Sequence, residues 1–586
     1  MVAVSHKKEA WKAECYGDEL RERILEFAEA GYDSIPEDER EAWFSRFKFW
    51  GLFHQRDGQE GYFMLRLANA DGVLDPGQLR AIAEVAREFA HGPATNPEFG
   101  DAYVDFTTRQ SIQMHWLRLE DVPEVWERLE SVGVSSRSSG GDTMRNISGC
   151  PLAGKGEEYV ETLPLLERFQ EDLRGDDSLS NLPRKFNISV TGCHEGCAQD
   201  SINDIGLEPA HREVDGEETR GFNVRVGGGL GGRQPRRARS LDTFVTPEEA
   251  YDVVRAFVEL YHEAGDRERR ARNRARFFVD EEGVDWIREQ VESRVDFDLR
   301  SAGEDFRERY TYNAGKPAGA GRADHVGVND QADGATYVGL SVPVGRMGAD
   351  AALELARLAE TYGTGEVRLT RRQNPVLVDV TLEDVDALLD EPLLEKYPAE
   401  PNPFDRGAIA CTGTEFCPLA LTETKARMAR MLRWLAENVT LPDDVEHLHV
   451  HYSGCTADCG QAMTADVGLQ GMRARKDGEM VEALDIGVGG GIGEEPTFVD
   501  WVHQRVPADE VPAAIRSLIE AFAAHRSEGQ SFREWVGETG TETLVDLCEP
   551  AETDYTDPWM HDAKQSWYPF AEAEQAPSAG EVVSDD

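Results

Sequence analysis

The chain repeats itself, and this repeat limits its fold more than any other feature. The segment TGCHEGCAQDSINDIGLE, from Thr191 to Glu208, recurs as SGCTADCGQAMTADVGLQ from Ser453 to Gln470. VGGGLG at 226–231 recurs as VGGGIG at 488–493, and CPLA stands at both 150 and 417. VDFTTRQSIQMHWL (104–117) is echoed by VRLTRRQNPVLVDV (367–380). A chain of 586 residues built this way holds two copies of one plan, each a small unit followed by a larger one. The small unit reads as a strand within 61–72, a helix over 76–90, a second strand over 102–117 and a trailing helix. That is a β-α-β unit of the ferredoxin-like kind. The expected fold class is α+β: two ferredoxin-like half-domains and two larger α/β domains, three-lobed, about a pseudo-two-fold, with ligand space between the copies.

The boundaries follow from the pattern. Residues 1–50 are a charged helical extension, 51–135 and 322–400 the half-domains, 136–313 and 401–548 the larger domains, and 549–586 an acidic tail. SRSSGG (136–141) and AGKPAGAG (314–321) read as linkers. The tail lacks periodicity and is expected to be poorly ordered.

Four of the nine cysteines fall in two close pairs, Cys411-x5-Cys417 and Cys455-x3-Cys459. Thiolate is the soft ligand that iron–sulfur clusters and zinc select. Structural zinc brings its pairs at shorter spacings, which these fit poorly. Both pairs sit at glycine turns, ACTGTEFCPLA and YSGCTADCGQA, where the backbone wraps closely; unrelated buried thiols have no reason to cluster there. Cys15 and Cys548 stand alone and read as structural.

Comparison within the chain separates the copies. Cys150, Cys193 and Cys197 occupy the positions of Cys417, Cys455 and Cys459, but Met144 stands where Cys411 does. A thioether supplies no anionic ligand. Either the first copy is a lapsed cluster site that binds something else, the reading we favour, or its cluster takes a non-cysteine ligand. In exchange the first copy gathers cations: Arg66, Arg109, Arg145 and the run Arg184-Lys185-Phe186-Asn187, where the second copy has His447 and His449 at the positions of Lys185 and Asn187. Strand alternation puts Lys185 and Asn187 on one face. These residues describe a buried anion site, arginine for bidentate oxyanion contact and lysine as point charge and proton source.

With MLRL at Arg66, TTRQ at 107–110, MRNISGCPLAG, LPRKFN and the four-cysteine set in hand, the chain resembles the sirohaem-containing, ferredoxin-dependent nitrite and sulfite reductases from about residue 50 to 545. The resemblance implies that the larger domains bind sirohaem and that a [4Fe–4S] cluster sits on Cys411, Cys417, Cys455 and Cys459, with the Cys459 sulfur also on the sirohaem iron. It implies that Arg109 holds sirohaem carboxylates, with Arg184 beside it, and that Arg66, Arg145, Lys185 and Asn187 face the substrate anion. K-x-N at 185–187 is similar to nitrite reductases, and K-x-K to sulfite reductases. The expected activity is six-electron reduction of nitrite to ammonia with reduced ferredoxin as donor. The alternatives are a ferredoxin-dependent sulfite reductase and a non-catalytic iron–sulfur electron-transfer or sensor protein. The glycine runs lack the G-x-G-x-x-G order of a nucleotide fold, so no flavin or nicotinamide domain is expected. They suit close backbone approach, to the macrocycle in this reading. The stretch DRERRARNRARFF (266–278) is a candidate ferredoxin dock, or else a cofactor-supporting segment.

The net charge is −49, from 111 acidic and 62 basic residues. This makes nucleic acid a poor partner. With no apolar run of about 18 residues there is no membrane span, and the N-terminus lacks a signal pattern. A cytoplasmic monomer is expected. An acidic, lysine-poor surface suits a halophile, because the Debye length falls to about 3 Å at 1 M salt and self-repulsion is screened. Thermal melts across a salt series check this: the midpoint should fall steeply as salt is withdrawn, and a salt-independent midpoint contradicts it.

Overall fold

The computed structural model describes residues 3–93, 95–193, 195–232, 234–305, 324–492, 496–550 and 553–557. Its four sheets have five strands each, two from the half-domains and two from the larger domains.

The half-domains exchange edge strands. Leu52–His54, Tyr62–Arg66, Ile112–Arg118 and Tyr103–Phe106 form the first sheet, and its fifth strand, Arg346–Gly348, comes from the second copy. The second sheet runs Gly327–Asp330, Thr336–Gly339, Pro375–Val380 and Val367–Leu369, and it is completed by Val73–Leu74 of the first copy. Each borrowed strand leads into the principal helix of its own copy, Pro76–Phe89 or Ala349–Tyr362. The first of these helices starts with a capping box at Asp75 and Gln78. Both helices bury their apolar faces in one shared core, which includes Leu79, Ile82, Leu355 and Leu358. The two half-domains are therefore one lobe. The N-terminal helices, Glu19–Ala30 and Arg40–Phe47, add Leu20, Ile24, Trp43 and Phe47 to the same core.

Each larger domain is built on a long hairpin, Ile205–Val214 with Glu217–Val226 and Val467–Lys476 with Glu479–Val488. Both hairpins turn on Asp-Gly, the pair that two-residue turns favour. Ile188–Val190 and Val450–Ser453 run parallel to the inner strand of their hairpins. Two further cores result, and with the half-domain lobe they make three. The pseudo-two-fold passes between Gln199 and Gln461, equivalent residues 262 apart, whose buried amides bond each other reciprocally at 3.1 and 2.6 Å. The α+β tandem with three lobes is as the repeat predicted.

Several local readings change. The stretch 102–117 is two strands, not one, joined at Thr107–Ser111, where Thr107 N–H donates to Ser111 C=O. Gln110 holds φ 53° at this turn and its side chain donates to Leu369 C=O at 3.1 Å in the other copy. The turn contains neither Gly nor Pro, so alternation alone runs through it. Lys185 and Asn187 lie just before strand Ile188–Val190, in an extended segment bridged only by Met144 and Phe186. SRSSGG is no free linker: Ser136 and Ser139 are buried, and their hydroxyls donate to Trp50 C=O and Arg66 C=O at 2.8 Å each. The tail expected from 549 begins by packing, since Tyr555 is buried and Asp557 pairs with buried Arg427 at 2.7 Å. The rest of the tail, and AGKPAGAG, lie outside the described residues.

The strand exchange carries a buried charge network. Arg346 on the borrowed strand bonds Asp105 of the first copy at 2.7 and 2.9 Å and Glu415 of the second large domain at 2.6 Å. Burial opposes the charge on Asp105, yet Arg346 and Lys425 hold its carboxyl well below the usual range. Removing one partner leaves buried charge uncompensated. Arg346→Met should cost about 3–5 kcal/mol in chemical denaturation at fixed high salt; a change under about 0.5 kcal/mol contradicts this.

Candidate functional site

A cavity of about 560 Å³ opens between the two large domains above the half-domain lobe. Its walls divide by copy. Arg66, Arg109, Arg145, Arg184, Lys185 and Asn187 line it from the first, and Cys411, Cys417, Cys455 and Cys459 from the second. All ten residues singled out in the sequence meet there, although they are spread over nearly 400 positions.

The thiol wall follows from tight backbone packing. Cys411 N–H donates to Tyr452 C=O at 3.0 Å, which ties the first pair to strand Val450–Ser453. Gly454 N–H donates to the Cys411 sulfur at 3.1 Å and Ala457 N–H to the Cys455 sulfur at 3.5 Å. Gly460 is needed beside Cys459, because a Cβ there would lie 2.3 Å from Tyr452 C=O. Burial pushes the Cys455 thiol up to about 12, with Cys459 and Cys417 adding to the rise. Burial raises Cys411 further, again with Cys459 contributing. Such thiols keep their protons unless a cation takes the charge, which suits a metal cluster. Cys459 is the exposed member of the set, and Thr108 Oγ1 donates to its C=O at 3.2 Å.

The opposite wall concentrates positive charge. Arg66 and Arg145 both donate to Ser139 C=O, at 3.3 and 3.0 Å, and Arg145 also to Gly141 C=O at 2.8 Å. The segment taken for a linker thus aims two guanidinium groups. Arg109 sits at the Thr107–Ser111 turn and donates to Asn203 Oδ1 at 3.3 Å. Arg184 pairs with buried Asp142 at 3.0 Å, and Arg270 holds the same carboxylate. Burial pushes Arg109 down to about 10, with Arg274 and Arg66 adding to the fall. Burial and the Arg274 charge hold Lys185 well below the usual lysine range. Arg145 is lowered by burial, then by Arg66, Arg109 and Arg184. A buried group of like charges that depress one another calls for anions. Among the described residues, Asn187 Oδ1 and Arg145 Nε are buried without a hydrogen-bond partner. Donors, volume and charge fit a cluster on one side and an anionic macrocycle with a small anion on the other.

Three elements were missed. Arg274 lines the cavity and donates from Nη2 to both carboxylate oxygens of Asp204 at 2.8 and 2.9 Å, and Asp204 also accepts from Asn187 N–H at 2.9 Å. Arg371 of the second half-domain donates to Thr108 C=O at 3.1 Å; its alignment with Thr108 in the repeat was the available signal. Lys8, Trp11, Lys12 and Tyr16 bring the N-terminal extension to the cavity mouth. The stretch 266–278 serves mostly inward: Arg270 and Arg274 line the cavity, and Arg276 donates to Gly229 C=O at 3.2 Å. Of its arginines, Arg269 and Arg272 are the exposed ones, both paired with Glu281, so the supporting reading fits better than a dock. Of the two glycine runs, Gly229–Gly231 of the first copy lines the cavity.

The family described as nitrite and sulphite reductase 4Fe-4S domain matches residues 140–299 and 404–554. The nitrite/sulfite reductase ferredoxin-like half domain matches 54–132 and 329–394. The chain is 68% identical over 586 residues, all of both chains, to the assimilatory ferredoxin-dependent nitrite reductase of Haloferax mediterranei. It is 37% identical to the ferredoxin–nitrite reductase of Synechococcus elongatus, covering 89% of this chain and 97% of that one. The structure of Mycobacterium tuberculosis NirA superposes with a TM-score of 0.80 at 27% identity, covering 92% of this chain and 97% of NirA. The chain belongs to the nitrite and sulphite reductase family, with two ferredoxin-like half domains and two 4Fe-4S-type domains.

Proposed function

We propose that the protein is an assimilatory ferredoxin-dependent nitrite reductase that takes nitrite to ammonia at a sirohaem coupled to a [4Fe–4S] cluster. The observation that carries this reading is the single cavity walled by four thiols on one side and buried cations on the other. Cys411, Cys417, Cys455 and Cys459 hold the cluster, and Arg109 and Arg184 hold macrocycle carboxylates. When bound, the two cofactors would supply one-electron delivery to the substrate, and Cys459 would serve as a ligand at the place where they meet.

The chain's own residues do the rest. Arg66 and Arg145, fixed by Ser139 C=O, bind the substrate oxygens and favour charge that grows as N–O bonds break. Their geometry is set before substrate arrives, so little reorganisation is required. Lys185 donates protons. Burial disfavours its charged form, which makes the proton easier to give up. Arginine at that position would hardly deprotonate. Asn187, held at its N–H by Asp204, keeps the anion site one charge less positive than a second lysine would, which suits a monoanion. A sensor reading has no use for this wall of cations. No described helix is long and apolar enough to cross a membrane. We read the enzyme as a cytoplasmic monomer of a halophile, with a ferredoxin as electron donor.

Steady-state assays with reduced ferredoxin test this: ammonium should form from nitrite with kcat/KM well above that for sulfite reduction. Asn187→Lys should shift the ratio toward sulfite by about tenfold, or ~1.4 kcal/mol; an unchanged ratio contradicts the role of Asn187. Lys185→Arg should keep nitrite binding but slow turnover by about 10²–10⁴-fold. Wild-type activity needs Lys185 protonated, so it should fall as pH rises through the lowered lysine pKa. That alkaline limb should vanish in Lys185→Arg, and a limb that stays in place contradicts the assignment.

A further inference from the structure

The three cysteines of the first copy do not take part in the cavity chemistry, yet the fold keeps them together. The sulfurs of Cys150 and Cys197 lie 3.8 Å apart. A ring nitrogen of His325 completes a group whose ligand atoms all fall within 4.8 Å of one another. Cys193 is buried beside both thiols and lies outside that group of three. His325 comes from the second copy, just before strand Gly327–Asp330, so the group spans the seam between the first large domain and the second half-domain.

The distances choose among the uses of such a set. A disulfide needs sulfurs at about 2.05 Å, and 3.8 Å is far outside that. A cubane cluster seats each thiolate on a separate iron and spreads them wider. In the second copy, among the described residues, the four thiols form no such group within 4.8 Å. A single ion binds tighter: two metal–sulfur bonds of ~2.3 Å at the tetrahedral angle place their sulfurs about 3.8 Å apart. Two thiols and one imidazole supply three of the four ligands that zinc takes in structural sites.

The surroundings fit as well. Leu152 N–H donates to the Cys150 sulfur at 3.4 Å. His325 Nδ1 lies 3.4 Å from the hydroxyl of buried Tyr337, a contact that orients the ring. Buried Arg368 of the second half-domain donates to Pro151 C=O at 3.1 Å and Ala153 C=O at 2.6 Å, bracing the loop that carries Cys150. Lys155 pairs with Asp379 across the same seam at 2.7 Å. His325 and Cys150 are both almost fully buried, so a metal there is closed to substrate and has a structural role.

We propose that Cys150, Cys197 and His325 bind one zinc ion that pins the first large domain to the second half-domain, with the neighbouring Cys193 side chain turning in as the fourth ligand. The lost cluster site of the first copy thus keeps its thiols for a different metal, and this holds whatever the substrate of the main cavity.

The test is metal analysis of the purified holoenzyme after gel filtration through chelator. About one zinc per chain is expected, with X-ray absorption at the zinc edge giving sulfur near 2.3 Å and nitrogen near 2.0 Å. His325→Ala and Cys197→Ser should each lower zinc content at least tenfold while leaving the optical spectrum of the main cofactors in place. Wild-type protein gives the decisive reading if a variant fails to fold. Zinc below a tenth per chain in the wild type, a Cys150–Cys197 disulfide by mass spectrometry, or zinc retained in both variants would overturn the proposal.

Discussion

The site depends on the contact between the two copies. Gln199 and Gln461 bond each other's amides on the pseudo-two-fold, and below them the half-domains trade strands at Val73–Leu74 and Arg346–Gly348. Gln110 reaches Leu369 of the other copy, and its counterpart Gln373 reaches Phe106 at 3.0 Å. These are backbone and amide bonds inside a packed core, where an unmade bond costs more than a made one contributes. The seam sets a wall of thiols from one copy against a wall of cations from the other across one cavity.

Each wall is unfavourable alone. Burial and neighbouring thiols raise the pKa of Cys411, Cys417 and Cys455, and burial and neighbouring arginines lower that of Arg145. Both sets of groups wait for partners of opposite charge, and the anionic and cationic demands sit side by side. Away from the cavity the fold pairs buried charges, as in Arg346 with Asp105 and Glu415, or Arg427 with Glu482 and Asp557. The asymmetry of the copies has the same logic. Met144 in place of a fourth cysteine removes the cluster's complete ligand set from the first copy, and the space opposite is filled by cations.

The repeat made the architecture legible, and the comparison of copies identified the thiols and cations that meet in the cavity. What stayed hidden has a common cause. Strand exchange between distant segments leaves no trace in local periodicity. The turn at Thr107–Ser111 depends on Gln110, held in its conformation by a bond to another copy, which no turn residue announces. SRSSGG has linker composition but is fixed by long-range bonds to Trp50 and Arg66. Arg274 belongs to a stretch whose composition allows a dock or a cofactor-supporting segment, and it is Asp204, 70 residues away, that holds it at the cavity. Composition reports on a segment's own preferences; these residues are placed by partners far away in the chain.

The division of labour between copies is tested most directly by acid-labile sulfide measured per chain in the purified holoenzyme. One cluster's worth of sulfide is the predicted result, since only the second copy has four thiolates. Two clusters' worth would mean that the first copy binds a cluster without a counterpart to Cys411, and would contradict the division on which the rest stands.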